Sequence, residues 1–252
     1  MKWLFFLGWF LSSISYANPI SVLIGVSAQN PPLSMQSDAQ NHFFGFEIEL
    51  MNEICNRIKI TCNYRPVIIS NITSDLTSRK IDFSIAAIIR PATPLPGFLF
   101  SLAYLPSAAK FMVLKESTIN SPGDIQGKSV GVRRGTLDGG HLFADFVRGI
   151  YQNKIQMTDY ISTDALIMGL TNKEVDALFT NAAVVDYWYY NNMDRYKIIG
   201  ADIPIGEGYA IMTTSRQDVL IKKMDDAILE ILADGTYLKI YNTYFSWKNN
   251  PT

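Results

Sequence analysis

Between Gly45 and Cys62 the chain reads GFEIELMNEICNRIKITC, and this stretch constrains the fold more than any other. Phe46, Leu50 and Ile54 return every four residues, with Glu47, Glu49 and Glu53 among them. That spacing predicts an amphipathic helix over Gly45 to Cys55 that carries its acids early, where the helix macrodipole favours negative charge. Alternating apolar and polar residues from Ile58 to Tyr64 then predict a strand. Cys55 falls near the expected end of the helix and Cys62 in the strand, and the chain has no other cysteine. A disulfide between them would pin helix to strand, and for so short a loop the chain-entropy argument gives about 2–3 kcal/mol. Two buried free thiols are the alternative. The two histidines, His42 and His141, are far apart in sequence and have no ligand cluster around them, so neither a metal site nor a cofactor is expected.

The first seventeen residues read as an export signal. Lys2 is a minimal positive region, Trp3 to Ile14 is mostly apolar, and Ser15-Tyr16-Ala17 places small residues at the two positions a signal peptidase reads. The apolar run is shorter than the roughly 20 residues of a spanning helix, which predicts cleavage after Ala17 rather than an uncleaved anchor. No cysteine follows the cleavage site, so a soluble periplasmic product without a lipid anchor is expected. An oxidising compartment agrees with the disulfide. Of 252 residues, 235 would remain, enough for two lobes. Losing Lys2 takes the formal net charge from −1 to −2, which argues against nucleic acid as a partner.

Along the remaining chain strand-like and helix-like segments alternate. Ser21 to Ser27 reads as a strand, the Asn30-Pro31-Pro32 turn follows the next few residues, and Thr73 to Ser78 is a short helix. Ile81 to Ile89 is nearly continuously apolar, as in a buried strand of a parallel sheet. Ala108 to Leu114, Ser129 to Arg133 and Val175 to Phe179 are further strands. Leu220, Met224, Ala227, Ile228, Ile231 and Leu232 follow helical spacing near the C-terminus. The alternation predicts an α/β fold with sheets covered on both faces.

Eight landmarks then occur in one order: SVLIGV from Ser21, GFEIEL from Gly45, the Cys55/Cys62 pair, RKIDFSIAA from Arg79, FSLAY from Phe100, GKSVGVRRGT from Gly127, KEVDALF from Lys173 and ILADGTYLKIYNTYF from Ile231. In this they resemble the polar amino-acid family of periplasmic solute-binding proteins, the receptors of ABC importers that include histidine- and lysine/arginine/ornithine-binding members. The resemblance covers essentially the whole chain after the signal. It implies a type II periplasmic-binding fold, two α/β lobes joined by two hinge crossings with the ligand between them, and an ABC permease as partner to a monomeric receptor. The crossings are expected near Tyr104 to Ala109 and Asp202 to Gly208. Lobe 1 would comprise residues 18–105 with 206–252, and lobe 2 residues 106–205.

The expected pocket departs from the family pattern. An Arg that clamps the ligand carboxylate with two hydrogen bonds is replaced by Pro94, and the Asp that takes the ligand ammonium by Asn181. The stacking aromatic after the first strand becomes Asn30, the Ser-Ser pair becomes Ala86-Ala87, and a second hydroxyl residue after Gly135-Thr136 becomes Leu137. Arg90, Arg133 and Arg134 are candidate substitutes for the clamp; alternation along a strand makes Arg133 the weaker choice. The candidate ligand-binding set is Asn30, Ala87, Arg90, Arg134, Thr136 and Asn181, with Asp138 also within reach. Bland roles stand beside these: Asn30 starting a turn, Thr136 and Asp138 capping a helix, Asn181 serving loop backbone groups, the arginines solvated. Tyr187-Trp188-Tyr189-Tyr190 reads as lobe packing.

The function expected is therefore binding of an amino acid or amino-acid-like organic ion for import. No Ser/His/Asp or Cys/His constellation and no phosphate loop point to an enzyme. A dehydratase-like enzyme on the same scaffold, or a receptor-derived sensor or interaction protein, are the alternatives.

Overall fold

The computed structural model describes residues 20–37, 42–135, 142–152 and 154–246. The expected signal segment lies outside them, as do Thr136, Leu137 and Asp138. Lobe 1 begins with β1 (Ser21–Val26), β2 (Gln29–Asn30), β3 (Ser34–Gln36), β4 (Phe43–Phe44), α1 (Phe46–Ile58), β5 (Thr61–Pro66), α2 (Ile72–Thr77), β6 (Phe83–Ser84) and β7 (Phe98–Phe100). The chain then crosses to β8 (Ala108–Leu114), β9 (Ser129–Arg133), α3 (Leu142–Ile150), β10 (Gln156–Tyr160), α4 (Thr163–Thr171), β11 (Ala177–Asn181), α5 (Ala182–Tyr190) and β12 (Tyr196–Pro204). It returns to lobe 1 for β13 (Met212–Thr214), α6 (Asp218–Ala233) and α7 (Thr236–Phe245).

Each lobe is built on one five-stranded sheet, in the order β5-β1-β6-β13-β7 in lobe 1 and β10-β9-β11-β8-β12 in lobe 2, and β2-β3-β4 forms a small extra sheet. In lobe 1 β5, β1 and β6 run parallel, and in lobe 2 β10, β9 and β11 do. Both parallel sets therefore end toward the same interlobe space, where α/β sheets place their ligands. Separate apolar clusters form around Ile72, Ile81 and Ile88 in lobe 1 and around Leu166, Leu178 and Val185 in lobe 2. The main core runs between them and takes in Phe46, Phe83, Phe111 and Phe179. Trp188 and Tyr189 pack against the lobe 2 cluster.

Gly45 sets where α1 starts. Its φ is 125°, and a Cβ there would stand 2.5 Å from the Leu33 carbonyl oxygen, so only glycine fits. The helix runs on to Ile58, beyond the expected end at Cys55, and stops with Lys59 in the left-handed region at φ 57°. Cys55 and Cys62 are joined in a disulfide across a separation of seven residues, tying α1 to β5. Replacing both by Ala should cost about 2–3 kcal/mol by the loop-entropy argument, lowering the thermal midpoint by about 5–10 °C for a protein of this length. An unchanged midpoint under non-reducing conditions would show that the bridge adds nothing.

Two expectations need correcting. Ile81 to Ile89 is buried apart from Asp82, but only Phe83 and Ser84 lie in the sheet; Ala87 takes φ 50°, and the chain leaves the sheet toward the cleft. Continuous apolarity reported burial there, and a loop buried between two lobes shows the same signal as a buried strand. In α6 the buried stripe is Ile221, Met224, Ala227, Ile228 and Ile231, whereas Leu232 is half exposed. The helix is rotated to present this stripe to α1, and Leu232 falls off its edge.

Candidate functional site

The site is built where the parallel strands end. In lobe 1 Asn30 ends β2, the short strand that follows β1, the segment after β6 carries Ala87, Ile88 and Ile89, and the first turn of α1 carries Glu47. In lobe 2 β9 ends on Arg133, β11 ends on Asn181, and α4 opens with Thr163. Arg133 is buried and reaches across the interlobe space. Its Nη1 donates to Asn30 Oδ1 at 3.1 Å and to Thr163 Oγ at 3.4 Å. The Thr163 hydroxyl donates in turn to Asn30 Oδ1 at 3.1 Å. One amide oxygen of lobe 1 thus holds two side chains of lobe 2.

Behind this bridge Glu47 anchors the lobe 1 side. Its Oε1 accepts from the Ala87 backbone N–H at 2.6 Å and from the Tyr104 hydroxyl at 2.5 Å, joining α1, the segment after β6 and the first crossing. Burial pushes the Glu47 carboxyl above its ordinary value; these hydrogen bonds and the Arg133 charge pull the other way. Burial likewise draws the Arg133 guanidinium below its ordinary value, opposed by Tyr209 and Glu47. Several buried polar atoms have no hydrogen-bond partner: Arg133 Nε, Asn30 Nδ2 and both side-chain polar atoms of Asn181. Such atoms are rare in folded proteins.

Lobe 1 lines the central pocket with Ile69, Ala87, Ile88 and Ile89. Lobe 2 lines it with Arg133, Leu142 and Phe143 beside Gly135. With the lobes in contact the free space at its centre is about 20 Å³, room for one water molecule. A groove on the other side of Arg133 opens to solvent between Gln29 and Ile68 on one lip and Ile161 and Ser162 on the other.

Of the candidate residues, Asn30 and Ala87 lie at the interlobe bridge and the pocket wall, and Asn181 is fully buried at the end of β11. The Asn181 side chain makes no bond to loop backbone and does not cap α5. Arg90 instead turns into lobe 1, with Nη1 3.4 Å from the Ser101 carbonyl. Arg134 is half exposed, 3.7 Å from the Asp159 carboxylate. Arg133, ranked below both from strand alternation, is the arginine in the cleft. Alternation assigns faces only where one face meets solvent, and β9 is covered on both. Glu47, Thr163 and Phe143 were not singled out by the sequence. A glutamate in the first turn of a helix has a surface explanation, and Thr163 meets Asn30 only across the lobes.

Two sheets of this topology with a buried polar bridge at the strand ends between them define a bilobal solute-binding protein of the type II periplasmic class. The chain belongs to the bacterial extracellular solute-binding proteins, family 3, whose model matches residues 22–246. It is 25% identical over 225 residues to ABC transporter arginine-binding protein 1 of Escherichia coli K12, covering 88% of this chain and 89% of that protein. It is 24% identical over 239 residues to the histidine-binding periplasmic protein of Salmonella typhimurium, covering 92% and 90%. Among solved structures, the arginine 3rd transport system periplasmic binding protein from Legionella pneumophila superposes with a TM-score of 0.82 at 36% identity, covering 90% of this chain and 100% of that one. No helix among the described residues is long and apolar enough to cross a membrane.

Proposed function

We propose that this chain is the periplasmic receptor of an ABC importer, exported by a signal cleaved after Ala17, which closes its two lobes over a small organic solute and presents the closed form to a membrane permease. The observation that carries this reading is the bridge from Arg133 and Thr163 of one lobe to Asn30 of the other, set among buried polar atoms without partners. Open lobes sample closure, and a solute touching both lobes stabilises the closed form. The solute is an amino acid or an amino-acid-like organic ion, in keeping with relatives named for arginine, histidine and cystine. Asn30, Ala87 and Asn181 are assigned to its contacts, together with Thr136; Arg90 and Arg134 serve the surfaces of their own lobes. Lobe 1 is taken as residues 18–105 with 206–252 and lobe 2 as 106–205, and the receptor acts as a monomer. The relatives are named as binding proteins, which favours binding without turnover over a dehydratase.

Protein recovered from the periplasm should begin at Asn18 by N-terminal sequencing. A solute at about 100 times its dissociation constant adds about 2.7 kcal/mol, so the right amino acid or organic ion should raise the midpoint by about 5–10 °C and compact the protein in small-angle scattering. No compaction by any member of a panel of amino acids, polyamines and carboxylates would overturn the receptor reading.

A further inference from the structure

The two stretches that carry the chain between the lobes run antiparallel as one ladder. Ile203 and Pro204 of β12 stand opposite Ala109 and Ala108 of β8. Toward lobe 1 the Ile205 N–H donates to the Ser107 carbonyl at 3.1 Å, and further on the Tyr209 N–H donates to the Leu105 carbonyl at 2.8 Å. Between these last two bonds the ladder breaks. The first crossing places Pro106 there, which has no N–H to donate, and the second loops out through Gly206, Glu207 and Gly208. Gly206 and Gly208 have φ 68° and 102°, backbone that glycine takes without steric cost.

One buried side chain of the first crossing holds this loop. The Ser107 hydroxyl donates to the Ile205 carbonyl and accepts the Gly208 N–H at 2.9 Å, so it ties the two ends of the loop together. The middle of the loop leans on lobe 1. The Glu207 N–H donates to the Arg90 carbonyl at 3.1 Å, and the Arg90 N–H donates to the Gly208 carbonyl at 2.8 Å. Just before Arg90 stand Ile88 and Ile89, two walls of the central pocket. Ile89 also bridges to Tyr209, and a Cβ on Gly206 would stand 2.3 Å from Ile89 Cγ2. The loop and the pocket wall are therefore in direct contact.

We propose that Ser107 is a positioning residue for lobe closure: the lobes turn about the break between Pro106 and residues 206–208, Ser107 holds that break in the closed arrangement, and Ile89 couples it to whatever fills the pocket. Hinges are a few residues that absorb the change in φ and ψ, and bending concentrates where ladder bonds are missing. Elsewhere along the crossings a change of angle must give up backbone bonds; here it gives up the two bonds of one hydroxyl. Ser107 thus biases the lobes toward contact before any solute arrives, and a solute pressing on Ile89 acts on the same loop. What the motion serves rests on the receptor reading; where the pivot lies does not.

Nitroxide labels on Ile68→Cys and Ile161→Cys, exposed positions on opposite lips of the groove, report the lobe separation by electron paramagnetic resonance. The native cysteines are locked in their disulfide and take no label. Without added solute the labelled exported protein should show a short and a long separation. Ser107→Ala should lower the ratio of short to long about ten-fold, the order expected for interior hydrogen bonds lost, with a thermal midpoint within about 5 °C of the wild type. Ser107→Thr keeps the hydroxyl and should restore the ratio. Gly206→Ala should shift the ratio the same way, and Ile89→Ala in that background should recover part of the shift by removing the clash. A wild type with no short separation, a ratio unchanged by Ser107→Ala, or an Ile89→Ala that recovers nothing overturns this inference. Each of these leaves the receptor reading standing, because compaction by the solute panel tests that separately. Separations that neither the variants nor any member of that panel move remove both.

Discussion

Glu47→Ala should lower stability by about 3–5 kcal/mol, because one buried carboxylate satisfies two buried donors at the junction of the lobes. Its loss would leave the Ala87 N–H and the Tyr104 hydroxyl without an acceptor in the interior. At roughly 2–4 °C per kcal/mol for a protein of this length, the midpoint should fall by about 10 °C. Glu47→Gln keeps an acceptor oxygen and should lose far less at neutral pH. The two variants also separate hydrogen bonding from charge. Burial raises the Glu47 carboxyl above its ordinary 4.5, so the folded protein holds this proton more tightly than the unfolded chain does. The stability this contributes is fully present below the ordinary value and is lost as pH rises through the higher value of the folded state. Urea unfolding of the wild type and Glu47→Gln across that window should show the wild type losing stability relative to the variant as pH rises. Parallel curves would mean that the carboxyl titrates alike in both states.

Phe46→Ala should cost about 3–5 kcal/mol, the usual loss for a fully buried aromatic. Phe46 is completely buried and meets Tyr237 and Phe245 edge-on, with ring centroids 5.8 and 5.3 Å apart, and Tyr241 at 6.3 Å. These rings belong to α7, so the substitution removes the plug by which the last helix docks on α1. Chemical denaturation should give the loss, and limited proteolysis should show the first new cuts near Thr236 to Phe245. A loss below about 1 kcal/mol with no new cuts would place α7 docking elsewhere. Arg57 pairs with Glu53 within α1 at 2.8 Å and with Asp234 in the turn before α7 at 2.6 Å; both pairs are partly exposed and add little.

Much of the scaffold was legible because it depends on local periodicity. The spacing of Phe46, Leu50 and Ile54 predicted α1, and Ala108 to Leu114 and Ser129 to Arg133 appear as the strands expected. The order of motifs from SVLIGV to the C-terminal helix carried the two-lobed architecture. The site was legible only in what it lacks: Pro94, Asn181 and Asn30 stand where charged or aromatic contacts were expected. What replaces them could not be read off. Ile85 to Ile89 looked like a strand because the sequence reports burial without saying what does the burying. Arg133 looked weaker than Arg134 because alternation presumes one solvated face.

By itself the sequence determined α1, the strands at Ala108 to Leu114 and Ser129 to Arg133, and the spacing of the two cysteines, since each follows from residues within a few turns or strand lengths of one another. The tertiary structure alone decided which arginine enters the cleft, that Glu47 is an interior anchor, and that Thr163 meets Asn30. Those contacts join positions 40 to 133 residues apart. They exist only once two sheets are packed with their strand ends facing, a geometry that no local pattern encodes.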